Sequence, residues 1–319
     1  MNHSAAKTPF FTIVTAVKDG LGYFQKTAPT ILNQSFRDYE WIIVDDSSTE
    51  PVAKYVSSLG DARVRLLQSA EQGQTKSLNQ AILESKADWI VRMDADDLAT
   101  LDRLEKTHAA ILANPNSQLF FSNYQVIDES DSTVADIQYR QPLNTNFFKY
   151  LEKNNPICHP TVCFRKKNRH GNLNLFDVRL KNAQDYALWK AILKDTPSGL
   201  CLINSSLLKY RLVQHSLSSA RAPEQISERN AIRQKLAATP ALTQEVRELS
   251  PLAQQGMQAF RIAYYRFLST TEVPYKKSSF SIIKMALLHR PIIFKTLFFI
   301  FAHPFRTFLK KLLFKGIYQ

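Results

Sequence analysis

Across its first 125 residues the chain alternates short apolar, β-branched runs with longer helix-like segments, which restricts it to βα units wound about a mainly parallel sheet. The runs Phe11 to Val17, Tyr39 to Val44, Val64 to Gln68, Trp89 to Met93 and Leu119 to Tyr124 read as strands. Between them Tyr23 to Asn33, Val52 to Leu59, Thr75 to Ser85 and Leu101 to Asn114 read as helices, and Pro29 predicts a kink or a late start in the first. After Gln125 the pattern loosens into polar linkers, followed by a strand at Thr161 to Arg165, a helix near Ala183 to Lys194 and a strand at Leu202 to Tyr210. From about Ala222 onward the chain reads as helical. Ligands of open α/β sheets bind beyond the carboxyl ends of the strands, so the residues that follow each strand are the first candidates for a site.

Two acidic clusters fall there: Asp45 and Asp46 after the second strand, and Asp94, Asp96 and Asp97 after the fourth. Either cluster alone is explained by helix capping, since Asp and Ser are favoured at N-caps and Asp45-Asp46-Ser47-Ser48-Thr49 precedes a helix. Both together put five carboxylates on one sheet edge, where like charges repel unless a cation or bound donor groups offset them. An all-oxygen set suits Mg²⁺ or Mn²⁺, which take few carboxylates and complete their shell with water and substrate phosphates.

In order, FTIVTAV, NQSFRDYEWIIVDDSS, SLNQAI and VRMDADDLATLDRLEK resemble glycosyltransferase family 2, over roughly residues 10 to 220. The resemblance implies a GT-A fold, α/β with a mainly parallel central sheet flanked by helices and a helical C-terminal extension. It implies two regions, a catalytic domain at 1–220 and a helical region at 221–319. The implied activity is an inverting, metal-dependent transfer of a hexose-type sugar from a nucleotide-diphosphate donor, such as a UDP-sugar, to a hydroxyl of a glycan or lipid-linked glycan. Bacterial surface polysaccharide or lipopolysaccharide synthesis is the implied setting.

Position by position, Thr15 and Asp46 match the donor-base contacts and Asp94 and Asp96 the DxD pair, with Asp96 the direct metal ligand and Asp97 a support of the loop. Lys76, in GQTKSLNQAI, matches a region where the family has a basic residue facing the donor; a solvated helix charge is the other reading. Asp185, in NAQDYALWKAI, matches the family's general base, although Gln184 stands where the usual pattern has Glu. Its other reading is a helix N-terminal charge. His159, in Cys158-His159-Pro160-Thr161, resembles an acceptor contact or is a structural histidine beside a proline turn. In Tyr210 to Ser218 the family has a His two residues after the Arg; here that position is Val213, and His215 two residues on is the substitute metal or diphosphate ligand, unless the protein does without one.

The formal charge of +13 raises nucleic-acid binding, but nine of those charges lie from Lys276 onward, where there is no Asp or Glu, which leaves +4 for the first 275 residues. That balance is ordinary for a catalytic domain, and no nucleic-acid partner is expected. From Phe280 to Phe314 the tail interleaves Ile, Leu and Phe with Lys and Arg, a composition suited to an anionic membrane surface or, in the other reading, to a packing subdomain with solvated cations. Its most apolar stretch, Thr296 to Ala302, has seven residues, against the roughly 20 needed to span a bilayer. Met1 to Pro9 carries no apolar signal core, so the expectation is a cytoplasmic protein, peripheral on the inner face of the membrane. Cys158, Cys163 and Cys201 lack metal or disulfide spacing and read as buried core thiols. Two competing readings remain: an inactive membrane- or polyanion-binding module in which the Asp clusters only cap helices, and a nucleotidyltransferase, for which no P-loop glycine run is present.

Overall fold

The first strand, β1 (Phe11–Val17), is buried along its length except at Ala16, and β2 (Tyr39–Asp45) is buried throughout. Such continuous apolar runs belong to parallel strands covered on both faces. In the computed structural model, which describes residues 7–139, 143, 151–152, 155–180, 182–194, 196 and 198–213, these two strands lie side by side, with Val17 level with Asp45. Further along are β3 (Val64–Gln68), β4 (Trp89–Arg92), β5 (Leu98–Ala99), β6 (Leu119–Ile127), β7 (Thr133–Ile137), β8 (Cys163–Arg165) and β9 (Leu200–Arg211). They form one sheet in the order β3-β2-β1-β4-β8-β6-β9-β5, with β7 on β6.

The sheet is parallel through β3-β2-β1-β4. Beyond β4 it becomes mixed: β8 is antiparallel to both β4 and β6, β9 is parallel to β6, and β5 is antiparallel to β9. The α/β class expected from the sequence is therefore observed, with the parallel character concentrated in the half that precedes residue 93. The turn back through β8 carries residues 157–163 alongside the end of β4, and β5 pairs with β9 just after Asp97.

The helices are α1 (Leu21–Leu32), α2 (Val52–Ser58), α3 (Gln74–Glu84), α4 (Arg103–Ala113) and α5 (Gln184–Lys194). α1 begins at Leu21, so Pro29 does not delay its start; the proline sits near its end, where its carbonyl accepts the Asn33 N–H at 3.1 Å. Packing of Phe24 on Trp41, ring centroids 5.7 Å apart, ties α1 to β2, and Leu78, Ala81 and Ile82 bury one face of α3 in the same core. Among the described residues no helix is long and apolar enough to cross a membrane. The expected helical region at 221–319, its basic tail, and His215 lie outside the described residues.

Candidate active site

The loops after β1 and β2 are fastened to each other. Asp19 Oδ1 accepts the N–H of Thr49 at 2.8 Å and its hydroxyl at 2.9 Å, while Ser48 Oγ accepts the Asp19 N–H at 2.9 Å. Of the first acidic pair, Asp45 is the turn former, accepting the Ser48 N–H at 2.9 Å. Asp46 does something different: its two carboxylate oxygens accept the N–H of Gly73 at 2.9 and 3.1 Å, pinning the end of β2 to the start of α3. Gly73 has φ +124°, a conformation that side-chain-bearing residues rarely adopt.

Thr15 lies beneath this edge, fully buried, with its hydroxyl accepting the Trp41 indole N–H at 3.1 Å. Lys76, in the first turn of α3, pairs with Glu71 on the surface.

The second cluster begins where β4 ends. Arg92 is fully buried in the strand and curls forward so that its guanidinium donates to an Asp94 carboxylate oxygen and to the Met93 carbonyl. Asp96, two residues on, has its carboxyl pushed up to about 7, first by burial and then by the Asp94 charge. Asp97 turns into the protein. It is completely buried, one oxygen accepts the Arg211 N–H at 2.8 Å, and the other has no hydrogen-bond partner. Burial, followed by the charges of Asp96 and Asp94, holds its carboxyl well above the usual range.

The loop between is braced on two sides. Thr27 Oγ1 contacts the carbonyls of Ala95 and Asp97, each at 2.8 Å, and Arg211 Nε donates to the Asp96 carbonyl at 2.7 Å. The Arg211 guanidinium also reaches the Asp128 carbonyl at 3.1 Å, pairs with Asp131, and lies 5.2 Å from the centre of the Tyr23 ring.

Asp185 approaches from the other side, in the first turn of α5. Its Oδ2 accepts the side-chain N–H of Asn155 and its Oδ1 the N–H of Tyr186, both at 2.7 Å. Burial pushes its carboxyl up to about 6 against those two donors, and the Asp94 charge adds in the same direction, so the two carboxylates feel one another. Burial raises the Cys158 thiol well above the ordinary value, and the charges of Asp97, Asp94 and Asp185 add in the same direction. The expectation of three core thiols is corrected here, because only Cys163 is buried, while Cys158 and Cys201 are half-buried.

His159 packs edge-on against Phe176 and Trp189, centroids 5.4 and 5.8 Å away, and its Nε2 is buried without a partner. Burial and the nearby Arg92 depress its basicity well below the ordinary value, so it is neutral. Arg103 of α4 joins the two halves, donating to the Arg92 carbonyl at 2.8 Å and the Pro160 carbonyl at 2.7 Å.

Asp46, Asp94 and Asp96 thus follow strands that flank β1, and Asp185 shares an electrostatic environment with Asp94. Sequence reasoning missed Arg92, Arg103 and Asn155, and named Cys158 and Arg211 only as members of the segments around His159 and Val213. The one signal available was an arginine inside or at the end of an apolar strand run, as in WIVRM.

Among the described residues no group of three or more His, Cys, Asp or Glu is arranged to hold a metal ion. The carboxylates of Asp94 and Asp96 nevertheless fit Mn²⁺ or Mg²⁺, which bind through one or two carboxylates and fill the rest of the shell with phosphate and water. The mutual repulsion that raises Asp96 is what such a cation would relieve. A cavity of about 390 Å³ lined by Asp88, Gln118, Arg165 and Lys167 among others lies at the amino ends of β4 and β6, the opposite end of the sheet from this chemistry.

The model of Glycosyl transferase family 2 matches residues 12–170. The O-antigen biosynthesis glycosyltransferase WbnJ of Escherichia coli is 29% identical over 225 residues, 66% of this chain and 82% of that one. The UDP-Glc:alpha-D-GlcNAc-diphosphoundecaprenol beta-1,3-glucosyltransferase WfgD, also of Escherichia coli, is 28% identical over 198 residues, 61% and 74% of the two chains. The putative teichuronic acid biosynthesis glycosyltransferase TuaG of Bacillus subtilis is 27% identical over 216 residues, 66% and 82%.

Among solved structures, S. aureus TarS 1-349 in complex with UDP superposes with TM-score 0.54 at 16% identity, covering 86% of this chain and 78% of that one. The mannosyltransferase PcManGT of Pyrobaculum calidifontis, in complex with GDP-Man and Mn²⁺, gives 0.52 at 17% identity, covering 92% and 84%. These likenesses show the fold, the GT-A arrangement expected from the sequence.

Proposed function

This chain belongs to glycosyl transferase family 2 and is a glycosyltransferase, and from that premise we propose that it moves a sugar from a UDP-sugar to a hydroxyl of a lipid-linked or surface glycan, with inversion at the anomeric carbon. One observation carries the reading: Asp185 is held in the first turn of α5 by the Asn155 side chain and the Tyr186 N–H, both at 2.7 Å, while Asp94 and Asp96 follow β4; burial raises its carboxyl to about 6. Backside displacement requires a base and a diphosphate-binding edge within reach of one donor sugar, the roles proposed for Asp185 and for Asp94 with Asp96.

In the proposed reaction Asp185 takes the acceptor hydroxyl proton as the acceptor oxygen bonds to the anomeric carbon. The bond from that carbon to the donor phosphate breaks, and its electron pair leaves on the nucleoside diphosphate. A base poised near 6 is ionised at neutral pH yet still proton-hungry enough to assist, a contribution of typically 10²- to 10⁴-fold. Asp94 and Asp96 would hold Mn²⁺ or Mg²⁺, which would supply positive charge against the leaving diphosphate. Asp46, fixed by Gly73, lines the donor end, Thr15 supports it from the core, and Lys76 stands near its rim. His159, neutral and wedged between aromatic rings, belongs to the acceptor side through its neighbour Cys158.

The printed names of the relatives support the acceptor class: one makes O-antigen, and another uses UDP-Glc and a diphosphoundecaprenol-linked sugar to make a beta-1,3 linkage. The excess of nine positive charges from Lys276 onward supports a position on an anionic, cytoplasmic membrane face, where such lipid-linked acceptors reside. A screen of nucleotide sugars with Mn²⁺ or Mg²⁺ tests the reading. Wild type should release a nucleoside diphosphate from one donor, and Asp96→Asn and Asp185→Asn should each lose that release; a folded wild type that turns over no donor sinks it.

A further inference from the structure

Asp185 lies in the first turn of α5 and has two rotatable side-chain bonds; the Tyr186 N–H holds only its Oδ1, so a second donor is needed to set the plane of the carboxylate. The residue before it offers no help: Gln184 is buried and its side-chain oxygen has no partner. The hold comes from the segment that leads into the 3₁₀ turn at His159–Thr161.

Asn155 donates its side-chain N–H to Asp185 Oδ2 at 2.7 Å, and its own Oδ1 accepts the Ile157 N–H at 3.2 Å. The second bond fixes which way the amide points, since a flipped amide would lose both. The segment itself is tied down at two further points. Tyr139 donates its hydroxyl to the Pro156 carbonyl at 2.7 Å, and Tyr186, the neighbour of Asp185, donates its hydroxyl to the Glu152 carbonyl at 2.7 Å.

We propose that Asn155 is the positioning residue that orients the Asp185 carboxylate for proton transfer. The inference rests on Asp185 being the base. With one donor on each oxygen, Asn155 on Oδ2 and the Tyr186 N–H on Oδ1, the carboxylate plane is set and a lone pair on each oxygen stays open for the acceptor hydroxyl. Among the described residues, the charge of Asp94 in the loop after β4 also acts on Asp185, and Asp185 acts in turn on the Cys158 thiol. Neither donates a hydrogen bond to it, and the nearest cation of α5, Lys190, has its ammonium 5.5 Å from the centre of the Tyr186 ring. Among the described residues Asn155 is therefore the side chain that hydrogen-bonds the base.

Asn155→Asp keeps the oxygen that accepts from Ile157 but replaces the donor to Asp185 with a second carboxylate, so it both removes the hold and sets a like charge against the base. The full-length protein would be assayed at pH 8 with the UDP-sugar selected by the donor screen, UDP serving as the binding probe. The expected result is a fall in kcat of about 10²-fold, the cost of misplacing a reacting group by about 1 Å, with donor KM, UDP affinity and melting temperature within error of wild type. Asn155→Ala, which adds no charge, should show the same split, and it carries the test if the aspartate variant does not fold.

A kcat within twofold of wild type in either folded variant overturns the proposal, as does a loss of UDP affinity equal to the loss of kcat. Asp185→Asn run alongside separates the two layers. If it loses kcat while Asn155→Asp keeps it, only the positioning role fails; if Asp185→Asn keeps kcat, the base assignment fails and takes this inference with it.

Discussion

The backbone N–H of Arg211 donates to Asp97 Oδ1 at 2.8 Å, joining the last residue of β9 to the acidic loop that follows β4, 114 residues earlier in the chain. The Arg211 side chain continues the link, from the Asp96 carbonyl to the Asp128 carbonyl and Asp131. The loop that carries the DxD pair is thus fixed from outside by an arginine that touches backbone more than charge.

Removing that side chain should loosen the loop and destabilise the fold together. Arg211→Met keeps the backbone bond to Asp97 but strips the guanidinium from two carbonyls and from Asp131, and losing one partner of a buried ionic network typically costs about 3–5 kcal/mol. Arg211 is fully buried but Asp131 is partly exposed, which puts the expectation at the low end, about 3 kcal/mol. Urea unfolding reads it directly, and Arg211→Lys, which restores the charge without the planar fork, should recover part of the loss. An unchanged urea midpoint in Arg211→Met would mean the network carries no stability.

The pH dependence of turnover follows from Asp185. Burial raises its carboxyl to about 6, so the folded protein holds the proton to a higher pH than an exposed aspartate would. The base works only when ionised. Turnover should therefore climb about tenfold per pH unit below about 6 and level off above it, and Asp185→Asn should leave a low, flat profile. An acid limb centred near 4 would mean that an exposed carboxylate, and not this one, governs the rate.

Gly73 offers a backbone test of the donor end. Its φ of +124° disfavours any side chain, although a Cβ there would meet no atom within 4 Å. The cost of Gly73→Ala is therefore conformational, roughly 1–3 kcal/mol, and it falls on the one N–H that both Asp46 oxygens accept. UDP affinity should drop along with stability. A variant that loses stability while binding UDP as wild type does would separate Asp46 from the donor.

How much of this could be read in the sequence divides along physical lines. β1 begins and ends where its β-branched run does, because a strand buried on both faces writes an apolar string; β3, a half-buried edge strand, also keeps its expected bounds. β5, only Leu98 and Ala99, is too short to show a pattern, and β7 is set in polar sequence with one face exposed, so neither was expected. The acidic residues were legible because they follow strands.

Their supports were not. Arg103, Arg211 and Asn155 owe their roles to carbonyls and carboxylates that come from distant parts of the chain, and local sequence holds no trace of such partners; Arg92 pairs with Asp94 only two residues on, but its burial is set by the sheet around it.

The two members of the DxD pair should respond in opposite ways to the same substitution. Asp94 neutralises Arg92, a guanidinium with no exposure, so Asp94→Asn leaves a buried cation short of its counter-charge. The side chain of Asp94 is 21% exposed, which lets water soften the loss, and the expected destabilisation is about 1–3 kcal/mol. Asp96 is in the reverse position. Burial and the Asp94 charge push its carboxyl up to about 7, so its ionised form is strained in the absence of a bound cation, and replacing it with the neutral Asn removes that repulsion. Without added metal, Asp96→Asn should melt at or above the wild-type temperature, while Asp94→Asn should melt below it. Turnover should fall by at least about 10²-fold in Asp96→Asn all the same, the size of loss seen when a group that stabilises transition-state charge is removed. Calorimetry of the two variants with and without Mn²⁺ separates the effects: wild type should gain stability on adding the ion and Asp96→Asn should not. A gain of equal size in both would remove Asp96 from the metal site and leave Asp94 to hold it.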